Sequence, residues 1–127
     1  MKYLLDTHVA LWYLEQSPRL SKNIEQTIDD AENDIFVCAI SLWEVAIKVN
    51  LGKLDLRLTL AELFELVEIR NFRIIPIEYK HMLTLLNLPY HHKDPFDRLI
   101  IATALAEQLT IISADKNIQR YDVPWIW

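Results

Sequence analysis

Glycine and cysteine are almost absent from this chain, which holds one glycine, Gly52, and one cysteine, Cys38, among 127 residues. With a single glycine, neither the Walker-type phosphate loop nor the glycine-rich dinucleotide loop can be built. A single cysteine cannot form an intramolecular disulfide, which is typical of proteins of the reducing cytoplasm. Cys38 lies within the apolar run Ile35–Ile40, so we expect it to be a small buried core residue.

Long hydrophobic runs and an excess of positive charge are also missing. The longest apolar stretches, such as Leu99–Ala106, are far shorter than the roughly 20 residues of a membrane helix. The N-terminus has no signal-peptide pattern, so we expect no membrane association. The chain carries 18 acidic and 13 basic residues, a net charge of -5, whereas nucleic-acid-binding proteins usually present a basic surface. Charge alone therefore argues against a nucleic-acid-binding protein.

Apolar residues make up 52% of the chain, which excludes intrinsic disorder, and the length is typical of a single domain over residues 1–127. Short apolar runs alternate with segments of helical periodicity. The predicted strands are Lys2–Leu5, Asp34–Ile40, Phe72–Ile77, Leu109–Ser113 and Val123–Trp127. The predicted helices are Val9–Glu15, Ser21–Asn33, Ser41–Leu51, Leu60–Arg70, Glu78–Leu88, Asp94–Gln108 and Lys116–Tyr121. This alternation predicts an α/β fold with a parallel sheet covered by helices on both faces.

Carboxylates stand just beyond the predicted strands. Asp6 follows the first strand, Glu44 lies one turn into the helix after the second, and Asp115 follows the fourth. Asp94 and Asp97 open the helix that precedes the fourth strand. Right-handed crossovers place the C-terminal ends of parallel strands at one edge of the sheet, where ligands of such folds bind. We therefore expect all five acids at that edge.

Helix capping is the alternative explanation for each acid taken alone. Ser41 and Glu44 fit a capping box, Asp94 before Pro95 fits an N-cap, and Asp6 and Asp115 could cap the helices that follow them. Capping does not explain why the oxygens are charged, since Ser, Thr and Asn cap about as well as Asp. Converging carboxylates repel one another, and a divalent cation removes that conflict. Oxygen ligands without a cysteine or histidine cluster favour Mg²⁺ or Mn²⁺ over Zn²⁺.

Four segments together resemble one known family. They are Leu4-Leu-Asp-Thr-His8, Ser41-Leu-Trp-Glu44, His92-Lys-Asp-Pro-Phe-Asp-Arg-Leu-Ile-Ile-Ala102 and Ile112-Ser-Ala-Asp115. In this order, and across nearly the whole chain, they resemble the PIN-domain ribonucleases of the VapC toxin type, which belong to toxin–antitoxin pairs.

The resemblance implies a three-layer α/β/α sandwich with a central parallel sheet of about five strands. It also implies an endoribonuclease that depends on Mg²⁺ or Mn²⁺, with one or two ions and a metal-activated water that hydrolyses the RNA phosphodiester. By motif matching, Asp6, Glu44, Asp97 and Asp115 are the catalytic and metal-binding residues, and Asp94 is a cap or an outer-shell partner. An antitoxin protein and a second copy in a homodimer are the implied partners.

Several neighbours of these acids are candidates for supporting roles. Thr7 and Ser113 could orient a carboxylate or only form local turns. An RNA path past the site could use basic residues, for which a solvated surface is the alternative: Arg98, Lys48, Lys53, Arg57, Lys93 and Lys116. An exposed aromatic side chain at a groove could stack an RNA base.

Two other functions remain open from the residues themselves. The first is a different acid-edge enzyme, such as a phosphatase or a receiver domain, although His8 stands where a dehalogenase-type phosphatase needs a second aspartate. The second is a PIN-like domain that binds RNA or a protein partner without catalysis.

Overall fold

The computed structural model describes residues 1–127 and contains one five-stranded sheet in which every neighbouring pair of strands is parallel. The strand order is β3-β2-β1-β4-β5. The strands are β1 (Lys2–Leu5), β2 (Asp34–Cys38), β3 (Arg73–Ile75), β4 (Thr110–Ile112) and β5 (Trp125–Ile126). The predicted parallel sheet of about five strands is confirmed.

Seven helices connect the strands. They are α1 (Thr7–Leu14), α2 (Lys22–Asp29), α3 (Ala39–Asn50), α4 (Leu60–Ile69), α5 (Tyr79–Leu86), α6 (Pro95–Glu107) and α7 (Lys116–Gln119). None of them has both the length and the apolar character needed to cross a membrane.

The sheet separates two hydrophobic cores, which confirms the three-layer arrangement. Successive side chains of a strand point to opposite faces, so Leu5 of β1 packs in one core and Leu4 in the other. The first core is completed by residues of α1, α2 and α4, and the second by residues of α6 and α7. Cys38 is buried in the second core, as expected, and burial raises the pKa of its thiol to about 12.

The boundaries differ from the prediction most clearly between β2 and α3. The apolar run was expected to be strand up to Ile40, but the strand ends at Cys38 and the helix begins at Ala39. An unbroken apolar run has no periodicity that would separate a buried strand from the first turn of a buried helix. The predicted capping box of Ser41 and Glu44 is therefore wrong, because both residues lie inside α3.

Other helix starts were predicted correctly. Ser21 caps α2 by accepting a hydrogen bond from the Ile24 amide at 3.3 Å. Asp94 caps α6 by accepting from the Asp97 amide at 3.0 Å, and Pro95 occupies the first helical position. The predicted helix Ser21–Asn33 is shorter than expected, because the chain takes an extended conformation at Asp30.

The strand order determines where a ligand can bind. The chain moves from β1 to β2 and β3 on one side, then returns to place β4 and β5 on the other side of β1. The order therefore reverses beside β1, and in open α/β sheets the crevice at the carboxyl end of such a reversal is where ligands bind. Asp6 directly follows β1, and Ser113 directly follows β4.

Candidate active site

Asp6 stands at the N-cap position of α1, but its side chain caps nothing. The residue is 3% exposed, and its carboxylate accepts a hydrogen bond from Ser113 Oγ at 2.7 Å. Ser113 Oγ in turn accepts from the Asp115 amide at 3.0 Å. Burial raises the pKa of Asp6 above its ordinary value, while the Ser113 hydrogen bond and the nearby His8 oppose that rise. The alternative explanation of Asp6 as a helix cap is therefore wrong, and its buried carboxylate lies against Ser113 at the end of β4.

Glu44 lies inside α3 and is also 3% exposed. Its Oε2 accepts from Lys48 Nζ at 2.8 Å, and its Oε1 lies 2.9 Å from Thr7 Oγ1. Ser41 Oγ is also 2.9 Å from Thr7 Oγ1. A hydroxyl has one proton, so Thr7 donates to the carboxylate and accepts from Ser41. These contacts hold the Glu44 carboxylate beside the end of β1.

Asp97 lies in the first turn of α6, where its Oδ2 is 3.1 Å from His92 Nε2. His92 Nδ1 is 2.8 Å from the Tyr121 hydroxyl, which also accepts from Arg98 at 3.0 Å. These partners assign the imidazole tautomer: the Tyr121 hydroxyl donates to Nδ1, and the Nε2 proton points at Asp97. Sequence reasoning named His92 only as a residue near the site, and its spacing of five residues from Asp97 was the available signal.

The pKa of Asp97 indicates that the acids have converged. The pKa of Asp97 is raised to about 7, mainly by burial and also by the charges of Asp94, Asp6 and Asp115, against the hydrogen bond from His92. The same field acts on Lys48, whose pKa is raised by its hydrogen bond to Glu44 and by the charges of Asp94 and Asp97. The structure therefore brings all five predicted acids into one electrostatic cluster, which we call the acid cluster: Asp6, Glu44, Asp94, Asp97 and Asp115.

Capping accounts for only two members of the acid cluster. Asp94 caps α6, and Asp115 caps α7 through a 2.8 Å hydrogen bond from the Asn117 amide to Oδ1. Asp6, Glu44 and Asp97 cap no helix. Three buried or half-buried carboxylates thus have no capping role, although the burial of several acids near one another is disfavoured by their mutual repulsion.

The donor set of the acid cluster suits a hard divalent cation. It consists of carboxylate oxygens supported by the Thr7 and Ser113 hydroxyls, the chemistry that Mg²⁺ and Mn²⁺ prefer. No three of these carboxylates place oxygens within 4.8 Å of one another, so they do not close tightly around one point. Mg²⁺ retains several of its waters when it binds proteins, so in this arrangement some of the carboxylates would contact an ion through water.

Another group of potential ligands, Glu78, His81 and Glu107, lies at the opposite end of α6. His81 Nδ1 accepts from the Glu78 amide at 3.2 Å, so Nε2 carries the proton that points at Glu107, 2.7 Å away. Lys80 Nζ also lies 2.7 Å from the Glu107 carboxylate. His81 has no lone pair left for a metal ion, and Glu107 is already paired with the Lys80 ammonium. This group is therefore a helix-capping network rather than a metal site.

The basic residues expected to guide RNA have different environments. Arg98 is 4% exposed, and its guanidinium donates to the carbonyls of Pro89 and Leu88 and to Tyr121. This burial corrects the expectation that Arg98 contacts phosphate, because the side chain supports the loop before α6. Lys48 forms an ion pair with Glu44 of the acid cluster. Lys93 and Lys116 are exposed and are next in sequence to Asp94 and Asp115.

Comparison with known proteins agrees with this architecture. The family model of the PIN domain matches residues 3–124. Ribonuclease VapC22 from Mycobacterium tuberculosis is 32% identical over 123 residues, which cover 95% of this chain and 92% of that protein.

Solved structures show the same fold at lower sequence identity. The crystal structure of VapBC2 from Rickettsia felis, bound to a DNA fragment from their promoter, matches with a TM-score of 0.74 and 19% identity, covering 99% of this chain and 98% of that one. FitAcB from Neisseria gonorrhoeae matches with a TM-score of 0.70 and 21% identity, covering 98% and 96%. With the family model and the VapC22 similarity both spanning nearly its whole length, the chain belongs to the PIN-domain family, as a VapC-type member.

Proposed function

We propose that this chain, as a single domain over residues 1–127, is an endoribonuclease that depends on Mg²⁺ or Mn²⁺. The observation that carries the proposal is the acid cluster, in which Asp6, Glu44 and Asp97 converge without capping any helix. The sequence similarity to ribonuclease VapC22 supports RNA as the substrate. The buried, unpaired Cys38 is compatible with activity in a reducing cytoplasm.

Asp6, Glu44, Asp97 and Asp115 would hold the cation, which supplies Lewis-acid chemistry by activating water and neutralising the charge that develops at the phosphodiester. The protein's own groups set the orientation of these acids. Ser113 fixes Asp6, and Thr7 fixes Glu44. His92 holds Asp97 through its Nε2 proton, and Asp94 fixes the start of the helix that carries Asp97.

Lys48 has a second role in this proposal. Its ammonium neutralises the buried Glu44 when no cation is bound, and its aliphatic stem allows it to move toward a substrate phosphate once a cation takes its place. Lys93 and Lys116 are exposed beside two of the acids, and we propose that they contact the RNA backbone on either side of the cleaved bond.

We further propose that the chain is the toxin of a toxin–antitoxin pair and forms a homodimer. Its structural neighbours include toxin–antitoxin complexes of the VapBC type. The exposed side of α5 supports a protein contact, because Tyr79, Met82, Leu83 and Leu86 are between 43% and 84% exposed, and contiguous apolar patches of this kind mark interaction surfaces.

Cleavage of an unpaired oligoribonucleotide by the purified chain tests the proposal. We expect cleavage with Mg²⁺ or Mn²⁺ and none with EDTA. Asp97→Asn and Asp6→Asn should lose cleavage by at least about 100-fold while remaining folded, whereas Asp55→Asn, an exposed acid outside the cluster, should cleave normally. Full activity of both cluster variants would overturn the assignment.

The same purified protein separates the other two functions. A general phosphohydrolase would release phosphate from a small phosphomonoester, which we do not expect here. A non-catalytic RNA-binding domain would retain RNA in the presence of Mg²⁺ without cutting it. Light scattering of the purified chain alone tests for the homodimer. The same measurement on the chain co-expressed with an antitoxin tests for the toxin–antitoxin complex.

A further inference from the structure

Two aromatic side chains, each next in sequence to an acid of the cluster, contact one another, and neither is explained by the carboxylate chemistry. Trp43 immediately precedes Glu44 on α3, and Phe96 immediately precedes Asp97 on α6. Their ring centroids are 6.0 Å apart at an interplanar angle of 63°, an edge-to-face contact. The pair therefore bridges the two helices that carry two of the cluster's acids.

The two rings differ in burial. Phe96 is partly buried against the second core, whereas Trp43 is 59% exposed and packs in neither core. Phe96 thus anchors the indole from inside, while most of the indole surface faces solvent. An exposed tryptophan contributes little to the stability of a core, so the indole is available to a partner from outside the chain.

Charge at this edge favours an aromatic partner over a purely ionic one. The chain has a net charge of -5, Arg98 is committed to the interior, and Lys48 is paired with Glu44. Of the basic residues proposed to contact the RNA backbone, only Lys93 and Lys116 are therefore exposed without such a commitment, which leaves few phosphate contacts to supply affinity. Stacking of a base on an aromatic ring contributes affinity that does not depend on basic residues, and every base has a face for it.

We propose that Trp43, held by Phe96, is a stacking platform for an unpaired nucleobase of the RNA substrate. The inference rests on the proposed ribonuclease function and adds to it a residue that positions the substrate, through an unpaired base next to the cleaved phosphodiester. A base in a duplex is covered on both faces and cannot lie on the indole. Trp43 is a positioning residue in this arrangement, because it contacts a base and leaves the chemistry to the acid cluster.

Steady-state cleavage of an unpaired oligoribonucleotide tests the platform. We expect Trp43→Ala to raise KM about tenfold, the change that corresponds to 1.4 kcal/mol, with kcat changed less than about twofold. Trp43→Phe, which keeps a flat ring, should remain within about threefold of the wild-type KM. The matched control is Trp125→Ala, since Trp125 is 41% exposed on the edge strand β5 and should leave KM unchanged.

Fluorescence provides a readout that does not require cleavage. With Ca²⁺ in place of Mg²⁺, the oligoribonucleotide should quench the tryptophan emission of the wild type and of Trp125→Ala, and the quenching should be much smaller in Trp43→Phe. An oligoribonucleotide with one abasic position next to the cleaved bond should lose the same affinity as Trp43→Ala, with no further loss when the two changes are combined.

The outcomes separate the platform from the function on which it rests. If the wild type cleaves and Trp43→Ala keeps the wild-type KM, the platform is wrong and the nuclease stands. If the wild type does not cleave but Trp43-dependent quenching is seen, the platform stands and the nuclease is wrong. If Trp43→Ala instead breaks a dimer or an antitoxin complex in light scattering while RNA affinity is unchanged, Trp43 belongs to a protein interface and the proposal is overturned.

Discussion

The hydroxyl of Ser113 donates a 2.7 Å hydrogen bond to the carboxylate of Asp6, 107 positions earlier in the chain. The contact joins the carboxyl ends of β4 and β1, which are neighbours in the sheet. It acts against two influences that disfavour the ionised form of Asp6, namely burial and the charge of Asp115. Ser113 therefore favours the ionised form of Asp6 against the burial that raises the pKa of this carboxyl.

Ser113→Ala should lower Mg²⁺-dependent cleavage about 10- to 100-fold, the usual effect of removing a hydrogen-bond partner of a metal ligand. The Asp6 carboxylate would lose its fixed orientation, while the fold would remain. Cleavage rates and circular dichroism measure the two properties. Thr103→Ala is the matched control, since it removes another buried hydroxyl, bonded to the Leu99 carbonyl at 2.7 Å outside the site, and an equal loss of activity there would contradict the role of Ser113.

Metal-free stability should fall as the pH rises from about 4 to about 7. Asp97 has a pKa of about 7 in the folded chain against 3.8 as its ordinary value, so the folded state binds more protons than the unfolded state in this interval, and stability decreases with pH. We expect a loss on the order of 1–2 kcal/mol from this carboxyl.

Melting temperatures from pH 4 to pH 8, in EDTA and in Mg²⁺, measure that dependence. Mg²⁺ should restore the stability lost above pH 6, because the cation binds the ionised carboxylates. Asp97→Asn, which cannot ionise, should lose less stability over the interval than the wild type. A pH profile identical in the two proteins would show that Asp97 is not held in the environment described.

Lys48→Met should have opposite effects on stability and on cation binding. Without metal, Glu44 would lose its 2.8 Å ion pair while remaining 4% exposed at its side chain, which we expect to cost about 1–2 kcal/mol. With Mg²⁺, the affinity should rise several-fold, because a positive charge that competes for Glu44 is gone. Thermal shifts at increasing Mg²⁺ concentrations report both values, and weaker Mg²⁺ binding in Lys48→Met would refute the competition.

Arg98→Lys should destabilise the chain by about 2–3 kcal/mol. A lysine cannot reproduce the planar guanidinium, which donates to two carbonyls and a phenol and lies 3.8 Å from the centroid of the Tyr90 ring. Denaturant unfolding measures the loss. Lys93→Met and Lys116→Met are the controls. Each removes a proposed RNA contact from the surface, so RNA affinity should fall while the free energy of unfolding stays within about 0.5 kcal/mol of the wild type.

The position of the acids could be predicted from the sequence because it follows from local rules. Parallel strands with right-handed crossovers bring the residues after β1 and β4 to one edge, and this identified Asp6 and Asp115 without knowledge of the strand order. The cap of Asp94 was equally local, since Pro95 fixes the first turn of α6.

Contacts between distant segments were not predictable in the same way. Nothing near Arg98 in the sequence indicates that its charge is satisfied by carbonyls nine and ten residues earlier and by Tyr121. The apolar run that ends at Ile40 hid the start of α3, so the role of Ser41 was assigned to a cap rather than to its contact with Thr7. In both cases the local sequence allows more than one structure, and contacts with distant segments decide which of them forms.

Strand β1 is central in the sheet, and its pairing with β4 determines when the acid cluster can assemble during synthesis. Strand β1 pairs with β4 through Leu4 and Ile111, so Asp6 meets Ser113 only after more than 100 further residues have been synthesised. Sheets that join such distant segments also form slowly. A growing chain in which β4 and Ser113 have not yet left the ribosome therefore has no assembled acid cluster, and the proposed RNA cleavage has to wait for that segment.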